Sequence, residues 1–103
     1  MEAIRGMSYA FHPEAELEFL EAIDYYEERE LNLGFQFAVE IYTAIGRAVE
    51  HPKTWPIIDG DVRRCQTKRF PFGVLYSEEK NGIFVVAVMH LHRDPDYWKH
   101  RMV

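Results

Sequence analysis

The sequence predicts an α+β fold: a short N-terminal strand, an antiparallel helical hairpin, a three-stranded antiparallel β-meander and a short C-terminal segment. Residues 13–51 carry two apolar patterns of helical spacing joined by a short connection, and residues 62–89 carry three strand-like stretches separated by short turns. Two amphipathic helices need a sheet to cover their apolar stripes, so both halves belong to one core. A chain of 103 residues is enough for a single domain.

The N-terminal strand is predicted at residues 8–11, where polar and apolar side chains alternate. The residues before Met7 do not continue this pattern. We therefore interpret residues 1–6 as a flexible N-terminal extension and residues 7–103 as the single domain. The sequence leaves both Met1 and Met7 open as the start residue.

The helical hairpin is indicated by its start and stop signals. The first helix begins at Pro13, because proline suits a first helical turn. Residues 31–34 form a tight connection, and the second helix ends at His51, because a proline follows it. The apolar stripes are Leu17, Leu20, Ile23 and Tyr26 in the first helix, and Phe35, Ala38, Ile41, Tyr42, Ile45, Ala48 and Val49 in the second.

The sheet is predicted to follow a loop at residues 53–60. Its three strands cover residues 62–69, 72–78 and 83–89. Asn81 and Gly82 favour a hairpin turn between the last two strands, since both residues tolerate positive φ. Pro71 marks the turn between the first two, because it lacks a donor for the ladder. Short turns make neighbouring strands antiparallel.

Charge is divided unevenly along the chain. Residues 1–51 hold 11 acidic and 3 basic side chains, whereas residues 52–103 hold 6 acidic and 9 basic ones, within a net charge of −5. This pattern favours a local basic surface over nonspecific coating of nucleic acid. Guanidinium groups on a rigid sheet suit phosphates or carboxylates; the alternative is that they decorate a solvent-exposed sheet face.

Composition excludes several classes of protein. The single cysteine, Cys65, cannot form an internal disulfide and fits a reducing compartment as a small packed side chain. No apolar run approaches about 18 residues and no secretory signal is recognisable, so we expect a cytoplasmic protein. We expect no cofactor.

Two patterns are open to a metal or acid–base interpretation. The acidic residues of the first helix have no histidine or cysteine among them, which favours a solvated acidic face. His90, His92 and Asp94 alternate at the end of the last strand and could form a facial metal triad. Pro95 indicates a turn there. We therefore favour histidines that hydrogen-bond to the backbone and an Asp94 that pins Arg93 or caps the last segment.

Several motifs in a fixed order link the chain to a known group of proteins. They are Pro13-Glu14-Ala15, Val62-Arg63-Arg64, residues 68–76 (KRFPFGVLY), residues 87–95 (AVMHLHRDP) and Trp98. With these motifs and this order of elements, the chain from Met7 to Arg101 resembles the RelE/ParE toxin superfamily, most closely its ParE-like, plasmid-stabilization branch. Each motif is weak alone, and their order and spacing carry the resemblance.

The resemblance implies the toxin of a type II toxin–antitoxin pair, a cytoplasmic protein that forms a hetero-oligomer with a cognate antitoxin whose C-terminal segment wraps around it. ParE-like toxins inhibit DNA gyrase, whereas RelE-like toxins are metal-independent endoribonucleases that cut ribosome-bound mRNA. We expect an apolar groove between the helical hairpin and the sheet to accept the antitoxin, whose cationic residues would suit the acidic first half.

The two targets place different demands on the basic residues. RNA cleavage through the 2′-hydroxyl needs a base, cations beside the phosphorane and an acid for the leaving oxygen. As a nuclease, the chain would use Arg64, Lys68 and Arg93 as catalytic residues, with a histidine as the base. The nuclease pattern of the superfamily is incomplete, however, because Gly73 stands where an arginine is expected and only Tyr97 or Trp98 approximates the terminal tyrosine.

We therefore favour a non-enzymatic, gyrase-directed toxin. Its predicted target-binding residues are Arg63, Arg64, Lys68, Arg69, His92, Arg93 and Trp98. A ribosome-dependent nuclease and a non-toxic relic that only binds its antitoxin are the alternatives.

Overall fold

A computed structural model describes residues 3–4 and 7–102 of the chain. The strands are β1 (Ala3–Ile4), β2 (Met7–Phe11), β3 (Ile57–Asp59), β4 (Val62–Gln66), β5 (Phe72–Glu79) and β6 (Gly82–His90). The helices are α1 (Pro13–Arg29) and α2 (Leu33–Glu50), and a 3₁₀ turn (Lys99–Met102) follows β6. The predicted α+β class, with its hairpin, meander and C-terminal segment, is confirmed.

The helical hairpin is fixed by capping side chains at both starts. His12 caps α1, because its Nδ1 accepts from the backbone N–H of Glu14 at 3.0 Å. The Glu27 carboxylate accepts from the N–H groups of Asn32 and Gly34 at 2.9 and 3.0 Å and so caps the start of α2. A Cβ on Gly34 would lie 2.5 Å from the Ile23 carbonyl oxygen, so only glycine permits this close approach of the helices.

The sheet has six strands in the order β1-β2-β6-β5-β4-β3. The predicted meander is confirmed, because β5 pairs antiparallel with both β4 and β6. The N-terminal strand β2 joins it parallel to β6, with Ser8 opposite Gly82 and Phe11 opposite Val85. The His12 N–H donates to the Val85 carbonyl at 2.9 Å, so α1 begins beside the middle of β6.

Two predictions about the sheet are wrong. Residues 57–59 form the edge strand β3 rather than part of a loop. The first meander strand ends at Gln66 rather than at residue 69, because Thr67 closes a turn. The Thr67 hydroxyl donates to the Phe70 carbonyl at 2.7 Å and its N–H donates to the Phe72 carbonyl at 3.0 Å. Lys68 and Arg69 therefore lie in a turn, outside the sheet.

The predicted N-terminal extension is only partly described. Ala3 and Ile4 form the short strand β1, which pairs with Ser8 and Met7 of β2. The rest of the extension lies outside the described residues, so the flexible segment at residues 1–6 and the domain bounds stay predictions.

The sheet is covered on both faces. The helices pack on one face around an aromatic cluster in which Phe37 contacts Phe70 and Phe72 edge-on, at ring distances of 5.2 and 4.9 Å. The residues after β6 return across the other face, where Trp98 packs on Leu75 and Met89. Cys65 is buried on the helix side, as expected of a small packed side chain. In residues 3–4 and 7–102 no helix is both long and apolar enough to cross a membrane.

Candidate binding site at the basic end of the sheet

Five of the predicted site residues gather at one end of the sheet, where β4 and β6 finish and β5 begins. We call this surface the basic end; it consists of Arg64, Lys68, Arg69, His92 and Arg93. The pairing of Gln66 with Gly73, and of Gly73 with Met89, brings these strand termini side by side. Contacts with three different parts of the fold hold the four basic residues Arg64, Lys68, Arg69 and Arg93.

The Arg64 side chain extends from β4 over Gly73 of the neighbouring strand β5. A Cβ on Gly73 would lie 3.0 and 3.1 Å from Cγ and Cδ of Arg64, so the glycine leaves room for the arginine stem to lie flat on β5. Leu91, just beyond β6, borders the same space. In the part of the chain that the structure describes, the half-buried Arg64 guanidinium has no hydrogen-bond or ion-pair partner. The stem of Arg64 is thus held against β5, and its guanidinium is available to an anionic ligand.

Lys68 and Arg69 are supported by α2. The Glu40 carboxylate of α2 accepts from both backbone N–H groups, at 3.0 and 3.3 Å. The Arg69 guanidinium donates to the Gln36 side chain at 2.6 Å. Both residues therefore lie beside the helical layer, whereas Arg64 lies on the opposite face of the sheet.

Arg93 is held by α1 and by the C-terminal segment. Its guanidinium lies 3.7 Å from the Glu18 carboxylate and 3.8 Å from the centre of the Tyr97 ring. The side chain is still 54% exposed, so it keeps access to a partner. Burial, together with the Glu18 carboxylate, raises the pKa of Tyr97, which therefore stays neutral at physiological pH.

Glu18 pairs with Arg93 and also hydrogen-bonds to the part of the β6 edge that no strand covers. β2 pairs with β6 only as far as Val85, so Val86 and Val88 have no strand on that side. The Val88 N–H donates to Glu18 at 3.1 Å, and Arg101 donates to the Val86 carbonyl at 3.1 Å. Arg101 also donates twice to Glu18, at 2.9 Å each, and its side chain is only 4% exposed. An ion pair thus takes the place of a missing strand.

The two histidines and Asp94 do not assemble a metal triad. His90 faces the helices, with its ring 5.2 Å from that of Phe72, and its Nδ1 accepts from the His92 N–H at 3.1 Å. Asp94 accepts from the Asp96 N–H at 3.0 Å and so caps its own turn, as the sequence favoured. Within residues 3–4 and 7–102, no group of three His, Cys, Asp or Glu side chains is arranged to hold a metal ion.

Two predicted target-binding residues lie away from the basic end. Arg63 turns towards the loop before β3, where its guanidinium donates to the carbonyls of Lys53 and Trp55 at 3.2 and 2.7 Å. Trp98 is 1% exposed and packs between the C-terminal segment and the sheet. Arg63 is occupied by hydrogen bonds and Trp98 by packing, so neither lies on the surface with the other predicted contacts.

A second surface lies on the outside of the helical hairpin. Phe35, Val39 and Tyr42 share one face of α2 and are exposed, Phe35 by 68%. Tyr42 contacts Phe19 of α1 at a ring distance of 5.3 Å, which joins this face to α1, where Leu20 is also exposed. The exposed neighbours on α1 are mainly acidic. An apolar surface with an acidic border is typical of a protein-binding site.

The chain matches a known protein family in sequence and solved proteins in structure. The sequence model of a family described as the ParE toxin of the type II toxin–antitoxin system, parDE, matches residues 9–95. A solved structure described as the chromosomal ParDE toxin–antitoxin system from P. aeruginosa has a similar fold, with a TM-score of 0.69 and 15% sequence identity, over 84% of this chain and 98% of that one. No curated protein sequence matches the chain.

Proposed function

Because this chain belongs to the ParE toxin family of type II toxin–antitoxin systems, we propose that it arrests growth by inhibiting DNA gyrase in the cytoplasm and that a cognate antitoxin neutralises it. The observation that carries the proposal is the basic end, where Arg64 and Arg93 present guanidinium groups on rigid supports. Cations that are fixed in place bind carboxylates or phosphates at a lower entropic cost than free surface lysines.

The arrangement of the basic end supports binding rather than RNA cleavage. Cleavage requires a base, an acid and several cations around one phosphate. Lys68 lies in a turn held by α2, on the other side of the sheet from Arg64, and Gly73 adds no cation between them. The Tyr97 hydroxyl is buried and has a raised pKa, which makes it a poor proton donor or acceptor. We therefore assign Arg64, His92 and Arg93 to the gyrase contact.

The apolar face of the hairpin supports neutralisation by an antitoxin. Leu20, Phe35, Val39 and Tyr42 would be buried by an amphipathic helix laid along the hairpin. The exposed carboxylates of Glu16, Glu21 and Asp24 on α1 would pair with cations of that helix. The face and the basic end are separate surfaces.

The proposal is tested by pulse-labelling DNA and protein synthesis in the minutes after the chain is expressed without an antitoxin. We expect DNA synthesis to stop while translation continues. An Arg64→Ala/Arg93→Ala variant is expected to lose this effect. Lys80→Ala is the matched control. Lys80 is an exposed cation in the turn between β5 and β6, at the opposite end of the sheet from the basic end.

Two other outcomes would contradict the proposal. If translation fails first, the chain acts as an mRNA endoribonuclease, and Arg64, Lys68 and Arg93 become its catalytic candidates. If neither synthesis changes while the folded chain accumulates, the chain is a non-toxic antitoxin-binding protein.

A further inference from the structure

A groove separates α1 from the end of the sheet, and it is distinct from both surfaces described above. It has a volume of about 350 Å³ and is lined by Ala22, Tyr25, Tyr26, Arg29, Phe72 and His90. The α1 residues recur at helical spacing and form one wall, while the paired strand residues Phe72 and His90 form the other. We call it the aromatic groove. Its volume lies at the small end of the range for ligand sites, about 300–1,000 Å³, and suits one aromatic side chain.

The floor of the aromatic groove is preformed. The Tyr26 ring packs against Phe70 at 4.9 Å and against Phe72 at 6.2 Å. Burial, and secondarily the neighbouring Tyr25, raises the pKa of Tyr26, so its ring stays neutral. A rigid aromatic floor favours an aromatic occupant, because ring pairs contribute about 0.5–1.5 kcal/mol beyond their buried area.

The rim of the groove is cationic although α1 is acidic. The Arg29 guanidinium lies 4.2 Å from the centre of the Tyr25 ring and has no carboxylate partner among the described residues. His90 lines the groove opposite Arg29, on the wall formed by the sheet. The Arg29 guanidinium would repel a lysine or arginine that approached the aromatic floor. It fits a carboxylate instead.

We propose that the aromatic groove binds an aromatic side chain of the antitoxin together with a neighbouring carboxylate, which pairs with Arg29. The proposal rests on the proposed function for the identity of the partner. It assigns the two surfaces of α1 opposite charge preferences: the hairpin face takes a cationic segment, and the aromatic groove takes an aromatic residue next to an acidic one.

The chemistry of the site is tested with indole-3-propionate and its neutral amide, indole-3-propionamide. Binding is followed by NMR at the ring protons of His90 and Tyr26. We expect the carboxylate to shift these signals and to bind about three- to tenfold more tightly than the amide. Arg29→Gln should remove this difference, whereas Lys80→Gln should keep it. Equal binding of carboxylate and amide, or an unchanged preference in Arg29→Gln, would overturn the proposal.

Two further measurements address the partner. Ala22→Trp fills the groove from a half-buried position on its α1 wall and should abolish probe binding while the far-UV spectrum and the cooperative unfolding transition are retained. Short peptides selected from a displayed library on the immobilised chain should carry an aromatic residue close to Asp or Glu, and Arg29→Gln should weaken them. Selection of aromatic residues flanked by lysine or arginine at this groove would refute the assignment.

These tests need neither gyrase nor a cell. A chain that leaves DNA synthesis unaffected can still bind the probe in the aromatic groove. A chain that does not bind the probe can still arrest growth. The two proposals therefore fail separately.

Discussion

Replacement of Glu18 by alanine is expected to cost about 3–5 kcal/mol of unfolding free energy. The substitution removes two 2.9 Å hydrogen bonds from Arg101 and one 3.1 Å bond from the Val88 N–H. Arg101 is 4% exposed, so it would remain charged and buried, with only the longer 3.7 Å ion pair to the half-exposed Glu14 left to it. Loss of one partner of a buried ion pair typically costs this much, because the desolvation of the other partner is no longer offset.

The assay is urea unfolding followed by tryptophan fluorescence, with Glu21→Ala as the matched control. Glu21 is exposed on the same helix, and its removal should change stability by less than about 0.5 kcal/mol. Removing both charges in Glu18→Met/Arg101→Met should cost clearly less than the sum of the single changes, since the charges that lose a partner, Arg93 and Glu14, are exposed. A Glu18→Ala effect below about 1 kcal/mol, or strict additivity in the double variant, would refute this account of the β6 edge.

Three further predictions concern single positions. Gly82→Ala should destabilise the fold by about 2–4 kcal/mol in urea unfolding, because Gly82 has a φ of +156° and the added Cβ would clash with the Ser8 backbone. A neutral effect would exclude this close approach. Burial raises the pKa of Tyr76 to about 12, above its unfolded value of about 10, so its contribution to stability is present below pH 10 and is lost as the pH rises towards 12. Tyr76→Phe should therefore be about 0.5–1.5 kcal/mol less stable than the wild type at pH 7, since it loses a 2.7 Å hydrogen bond to a loop carbonyl. The difference in stability should close between pH 10 and 12, and a difference that is constant with pH would contradict the raised pKa of Tyr76. Gly73→Val should displace the Arg64 side chain and weaken gyrase inhibition as Arg64→Ala does, and full inhibition by a folded Gly73→Val chain would show that the position of Arg64 is unimportant.

Much of the fold could be predicted from local signals. Pro13 marked the start of α1, and the Asn81-Gly82 pair marked the hairpin between β5 and β6. The edge strand β3 could not be predicted, because a three-residue strand has too little alternation to be recognised and depends on β4 for its pairing. The early end of β4 depends on the Thr67 side chain, which closes a turn in a stretch that reads as a strand.

The candidate site could be predicted only in part. The basic residues were found, but their division between two faces depends on β4 ending early and on Glu40 of α2 binding the turn. The burial of Trp98 could not be predicted, because the segment after β6 has no periodicity that would reveal it. Glu18 was missed, although helical spacing offered a signal: it lies between Ala15 and Ala22 on the side of α1 that faces the sheet, where a carboxylate needs a partner.

The most direct test of the central claim is a supercoiling assay with purified DNA gyrase, relaxed plasmid and an excess of the folded chain. Gyrase inhibition by the wild-type chain is predicted, and the Arg64→Ala/Arg93→Ala variant should need at least about tenfold more protein for the same effect, while Lys80→Ala should match the wild type. Unchanged supercoiling in the presence of excess folded chain would contradict the claim.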